Sequence, residues 1–294
     1  MTTRRSFFKT VGLGAATVAG ASASGCISSS VAGKTAKEET TFKLGIAGYT
    51  FVKFNAEETL KMVQQVDVHY LCIKDFHLPQ KCTAAEAAAF HKKCAEHGIT
   101  GYGCGPIYMD SPEAAKTAFD YAKRIGVKTL VGVPYKKDAN NKRVENPELL
   151  KLINDLVQKY DIKYAIHNHG PDMPHLFPNA ESAIELISNM DKRMGLCLDI
   201  GHQFRDGKCP VKAILNYSDR LHDFHLKNVT EPTRKGKGIE LPRGAIDMVA
   251  IANALRKVKY SGVCSLEYEK DMKDPILGIA ESIGYFRGII DATR

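Results

Sequence analysis

The chain has 294 residues, with 41 Lys and Arg against 33 Asp and Glu, 44% hydrophobic residues and no Trp. The formal charge of +8 is mild, and no long basic run or aromatic-interleaved basic patch occurs, so nucleic acid is not implied as a partner. Length and apolar content leave room for a sizeable buried core.

Thr3 to Lys9 (TRRSFFK) reads as a twin-arginine export signal, followed by a weakly apolar, small-residue stretch from Val11 to Ala23. That stretch is too short and too rich in Gly and Ala to span a bilayer as a stable helix. Ala21-Ser22-Ala23 suits an ordinary signal peptidase. Ala23-Ser24-Gly25-Cys26 instead resembles a lipobox, although the usual Leu three before the Cys is missing. Residues 1–26 are therefore expected to be a signal peptide, and 27–41 a Ser-, Ala-, Lys-, Glu- and Thr-rich linker. Residues 42–294 are expected to form the folded domain. Export implies a periplasmic protein that touches the membrane only through a lipid on Cys26. Removing Arg4, Arg5 and Lys9 would lower the charge to about +5.

From Phe42 onward, short apolar runs alternate with amphipathic helix patterns eight times. The strands are expected at Lys43–Gly48, Tyr70–Lys74, Thr100–Cys104, Thr129–Val133, Lys163–His167, Met194–Asp199, Leu221–Leu226 and Val263–Glu267. Helix starts are marked by Thr83, by Ser111 before Pro112, by Asn146 before Pro147, and by Asp274-Pro275; Gly98 and Gly126 mark ends. Strands alternating with helices at this spacing give parallel βαβ units. Eight units in one domain predict the α/β class and a (β/α)8 TIM barrel. GIAGYTF after the first strand lacks the GxGxxG spacing of a dinucleotide site.

Eight cysteines in an exported chain would ordinarily suggest disulfides. Here Cys72, Cys104, Cys197 and Cys264 sit inside apolar runs, where Cys behaves as a small hydrophobe. They read as structural thiols, with Cys82, Cys94 and Cys209 the exceptions.

Barrel enzymes carry their chemistry on the C-terminal strand ends. There YAIHNHG, GLCLDIGH, HDFHLKN and VCSLEYE place His167, Asp199, His225 and Glu267, on strands five to eight. Two imidazoles and two carboxylates on adjacent strand ends describe an open site for one divalent cation. Manganese, cobalt or zinc suits such ligands better than calcium. Each residue taken alone also reads as a satisfied buried polar group. Glu269 shares the parity of Glu267, so one can bind the ion while the other hydrogen-bonds it. His169 shares the parity of His167 and competes with it for the ion; His167 is taken as the ligand, and His169 as a contact to substrate or to the ligands from behind. His202 lies three residues past Asp199 in an expected turn, as ligand, substrate contact, proton shuttle or exposed residue. Tyr49, Lys74, Asp75, His77 and Tyr108 follow the early strands; Lys74, His77 and Tyr108 are taken as substrate contacts. Lys227 polarises a carbonyl or holds a hydroxyl, or is an ordinary surface lysine. The loop from Glu231 to Gly244 holds Arg234, Lys235 and Lys237, which would embrace a phosphate or simply be solvated.

LDIGH, DFHLKN, the Lys-Gly-Lys-Gly loop before Ala245-Ile246-Asp247, and the closing KYSGVCSLEYE resemble the xylose-isomerase-like barrels of the sugar isomerase/epimerase superfamily. The resemblance runs from about Phe42 to Phe286 and is strongest after Tyr164. It implies a cation on His167, Asp199, His225 and Glu267, a substrate-side role for His202, and a small-molecule carbohydrate partner. One position departs from the pattern. Many such epimerases have Glu in a LENHG-like segment where this chain has His167, and that Glu is one of their two opposing proton-transfer groups. The implied chemistry is formation of an enediolate from a free sugar or keto-sugar, with Glu267 as the base and His202 and Lys227 assisting. Lyase or hydratase action on a 3-keto-glycoside would use the same enolate. A multinuclear endonuclease barrel and a non-catalytic sugar-binding lipoprotein are the readings from other classes. Barrels of this kind often pair, so a homodimer is a further expectation.

Overall fold

The computed structural model describes residues 42–293. The expected signal peptide, lipidation site and linker lie outside the described residues.

Eight parallel strands close into a barrel. They are β1 (Lys43–Ala47), β2 (Tyr70–Ile73), β3 (Thr100–Met109), β4 (Thr129–Lys137), β5 (Lys163–His167), β6 (Met194–Asp199), β7 (Leu221–Leu226) and β8 (Val263–Leu266). β1 pairs with β8 on one side and β2 on the other, and pairing of β3 with β4 completes the ring. β6 is buried along its whole length, as expected of a strand covered by helices outside and by side chains inside. The helices follow their N-terminal signals. Asn55 with Glu58, and Thr83 with Glu86, form reciprocal capping boxes. Ser111, Asn146, Asn179 and Asp247 each accept from a backbone N–H of the first helical turn.

Three departures from the sequence reading shape the mouth of the barrel. β3 continues to Met109 and β4 to Lys137, past the expected ends at Cys104 and Val133. β4 then folds back on an unexpected antiparallel strand, Arg143–Glu145, and a second small ribbon pairs Asn228–Val229 with Gly238–Ile239. His202 lies in a short helix, Ile200–Arg205, rather than in a turn. The described cysteines are free, and Cys82 and Cys94 are buried with the rest, leaving Cys209 as the exposed one.

The strap after β7 is tied down by Glu240. Its carboxylate accepts from Tyr268 at 2.8 Å and from Lys270 at 2.9 Å. Burial opposes ionisation there, but Lys270, the backbone and Tyr268 outweigh it and pull the carboxyl down to about 2. A depressed carboxyl contributes stability above its unfolded value near 4.3 that is lost as the pH falls through the folded value. Glu240→Gln should therefore lower the melting temperature at pH 7. The gap to the parent should close as the pH falls from about 4.5 to 2; a gap of the same size at pH 2 would contradict the assignment.

Candidate active site

The C-terminal strand ends bring together the four residues expected to hold an ion. His167 Nε2 stands 3.2 Å from His225 Nδ1 and 3.8 Å from both Asp199 Oδ2 and Glu267 Oε2. His225 Nδ1 is 3.4 Å from Glu267 Oε2. These four ligand atoms all lie within 4.8 Å of one another. An ion bound tetrahedrally at about 2.0–2.2 Å separates its ligand atoms by about 3.4 Å, so the spacing suits one small cation. The donor set also fits, because Asp199 Oδ2 is buried and makes no well-aligned hydrogen bond among the described residues, its nearest partner being the Lys227 ammonium at 3.1 Å.

Local structure explains this convergence. His167 pairs in register with Cys197 on the next strand, and Asp199 with His225. Asn168, which the sequence reading passed over, extends the β5–β6 ladder with its side chain. It donates to the Asp199 carbonyl at 3.0 Å and accepts from the Asp199 N–H at 2.8 Å. Asp199 then divides its carboxylate. Oδ1 caps the short helix through the His202 N–H at 2.8 Å, and Oδ2 faces the cluster. Asp223 lies beneath, fully buried, accepting from Tyr102 at 2.9 Å, with Oδ2 3.9 Å from His225 Nε2.

Lys227 is the main surprise. It is not an ordinary surface lysine but 3% exposed at the end of β7. Its ammonium lies 2.6 Å from Glu269 Oε2, 2.7 Å from Glu267 Oε2 and 3.1 Å from Asp199 Oδ2. Gly201 of the LDIGH motif makes room for it, since a Cβ there would come within 2.6 Å of Lys227 Cγ. Burial disfavours the charged lysine, yet Asp199, Glu267 and Glu269 outweigh it and raise its pKa well above the usual value. Conversely, burial opposes ionisation of Glu267, but Lys227 and His225 hold its carboxyl well below the usual range. Burial raises the Asp199 carboxyl despite Lys227. Lys227 also donates to His202 Nε2 at 3.4 Å; burial first, then Lys227, keeps that imidazole neutral, well below its usual pKa.

Above the cluster is a cavity of about 310 Å³, lined among others by Tyr49, Lys74, Tyr108, His169, His202 and Glu269. Lys74 bonds Asp75 at 2.6 Å. Tyr108 bonds His169 Nε2 at 2.5 Å. His77 is the expected substrate contact that the structure does not bring to this cavity. It is buried, with Nε2 3.1 Å from Thr59 Oγ1 and 3.3 Å from the Phe51 carbonyl, and burial lowers its pKa to about 4. Its neighbour Phe76 is the side chain that turns outward, 41% exposed. Arg234 bonds Asp172 at 3.2 Å, which accounts for one of the loop cations that sequence offered to a phosphate.

The family model described as xylose isomerase-like TIM barrel matches residues 47–289, nearly the whole described domain. The chain belongs to the xylose isomerase-like TIM barrel family. It is similar to an inosose isomerase of Bacillus subtilis, 27% identical over 169 residues. That match spans 52% of this chain and 58% of the relative's length. A D-psicose 3-epimerase of Clostridium cellulolyticum aligns with a TM-score of 0.68 at 17% identity, covering 85% of this chain and 99% of the other. A probable 3-DHS dehydratase of Bacillus anthracis aligns at 0.66 and 12% identity, covering 83% and 99%. At these identities the structural matches speak for the shared barrel.

Proposed function

We propose that this protein is a metal-dependent carbohydrate isomerase or epimerase that removes a proton from carbon next to a carbonyl. The observation that carries this reading is the meeting of four ligand atoms beside a small cavity that His167 and Glu267 line. At about 310 Å³ the cavity is near the lower end of small-molecule sites, and it suits a sugar ring better than a polymer.

His167, Asp199, His225 and Glu267 would hold the ion. When bound, it supplies Lewis-acid polarisation of a carbonyl and a neighbouring hydroxyl. Glu267 is placed to move the proton. Its described contacts with His167, His225 and Lys227 all use Oε2, which leaves Oε1 to face substrate. Lys227 keeps that carboxylate ionised and joins it to Glu269. His202, neutral and on the cavity wall, accepts from Lys227 through Nε2 and so contacts the substrate without taking a proton from it. The twin-arginine reading of Thr3 to Lys9 supports an exported, periplasmic enzyme, which meets free sugars and keto-sugars rather than sugar phosphates.

A second reading has its own observation. β5 ends in the imidazole of His167, where a two-base epimerase needs a carboxylate. Such a ring suits elimination from a 3-keto-glycoside, in which one base on carbon is enough.

The test is proton exchange. Purified protein is incubated in deuterated water with ketoses and 3-keto-glycosides, and the α-position is followed by NMR. Exchange should fall by at least about 100-fold after chelation and return with manganese, cobalt or zinc. Undiminished exchange in chelated protein would remove the metal from the mechanism, and no exchange with any such substrate would end the proposal.

A further inference from the structure

The groups on the cavity wall are unequal as proton donors. Lys227 is committed to three carboxylates and Lys74 to Asp75. His202 Nε2 accepts from Lys227 and offers no proton. No described residue bonds the Tyr49 hydroxyl to aim it. Tyr108 differs from all of these. The extension of β3 carries it to the rim, where it is 38% exposed, and its hydroxyl lies 2.5 Å from His169 Nε2. His169 Nδ1 donates to the His167 carbonyl at 3.1 Å, so Nε2 is the accepting nitrogen and Tyr108 is the donor. The hairpin strand after β4 lays Arg143 over the Tyr108 ring, 4.8 Å from its centroid.

We propose that Tyr108 is the catalytic acid that protonates the departing oxygen when this site eliminates from a keto-glycoside. The proposal rests on the elimination reading given above. Glu267 Oε1 takes the proton from carbon, and the C–H electron pair forms a C=C bond conjugated with the carbonyl. The C–O bond to the leaving group breaks, and the Tyr108 O–H proton passes to that oxygen. An alcohol leaves, with Glu267 protonated and Tyr108 a phenolate. The phenolate is stabilised by the Arg143 guanidinium above its ring and regains its proton from solvent at the open rim. His169 positions the hydroxyl until a substrate oxygen replaces it as acceptor. Burial, only partly offset by Arg143, lifts the phenol to about 12, so the proton is in place at neutral pH.

The experiment compares 3-keto-glucosides carrying a methyl or a 4-nitrophenyl leaving group, using the full chain and Tyr108→Phe. An acid is needed for the poor leaving group and dispensable for the good one. Tyr108→Phe should lose about 10²–10⁴-fold on the methyl substrate and far less on the nitrophenyl one. Deuterium exchange at the α-carbon should fall much less than methanol release. Equal losses on both substrates would overturn the acid role and leave Tyr108 a binding residue. Wild-type protein that exchanges the α-proton but never releases methanol would overturn it too, while leaving the isomerase reading standing. Wild-type protein without exchange would instead mean failure of the functional reading underneath.

Discussion

Glu267→Gln is expected to slow α-proton exchange by about 10³-fold at saturating metal, the middle of the range for losing a general base. The amide keeps the shape of the carboxylate but cannot accept the proton from carbon. Its effect on folding should be small, because Lys227 retains Asp199 at 3.1 Å and Glu269 at 2.6 Å. One charge-assisted hydrogen bond weakened at a buried site costs about 1–3 kcal/mol. The variant also loses a ligand, so exchange must be measured across a metal titration and read at its plateau. A plateau rate equal to the parent's would assign the base elsewhere, and Glu269, the other carboxylate on Lys227 that lines the cavity, would be examined next.

The barrel was readable because its signals are local. Apolar runs such as LCLD and VCSL, and caps such as Thr83 and Asn146, decide their own neighbourhoods without help from distant parts of the chain. The strand extensions were not readable. Gly105-Pro106 interrupts β3 with residues that argue against a strand, and the ladder resumes only because Ile107, Tyr108 and Met109 find partners in Gly132, Val133 and Pro134 of β4. Likewise Arg143–Glu145 is a strand through its pairing with Tyr135 to Lys137, not through propensity. At the site, a position at the C-terminal end of each apolar run was enough to bring His167, Asp199, His225 and Glu267 to one end of the barrel. Parity could not show that Asn168 would stitch two strand ends together with its amide. Nor could it separate Lys74 from His77, three residues apart in an irregular turn; one reaches the cavity and the other is buried against Phe51. For Lys227, parity leaves both the catalytic and the surface reading open. A lysine two residues past a strand-end histidine reads as solvent-facing until three acids from two other strands are known to surround it.

That surrounding makes Lys227→Met the substitution with the largest expected effect on stability. It leaves Asp199, Glu267 and Glu269 clustered without the ammonium that neutralises them, at a place where Asp199 is fully buried and Glu267 nearly so. Breaking a buried ion pair by removing one partner costs about 3–5 kcal/mol. In the parent, the raised lysine pKa means the contribution is complete below the unfolded value near 10.4 and is lost only as the pH rises through the still higher folded value. In the variant, the crowded carboxylates hold protons more tightly than they do unfolded, so the deficit should grow as the pH rises from about 4 to 7. The same carboxylates should make the variant dependent on a divalent cation. Melting curves at pH 5 and 7, each with chelator and with manganese, read both effects. The parent should lose on chelation only what ion binding adds to its stability, because its ammonium still balances the acids. The variant should melt far lower in chelator at pH 7 and recover much of the loss with metal. A variant as stable as the parent in chelator at pH 7 would mean that Lys227 does not carry the charge balance of the site.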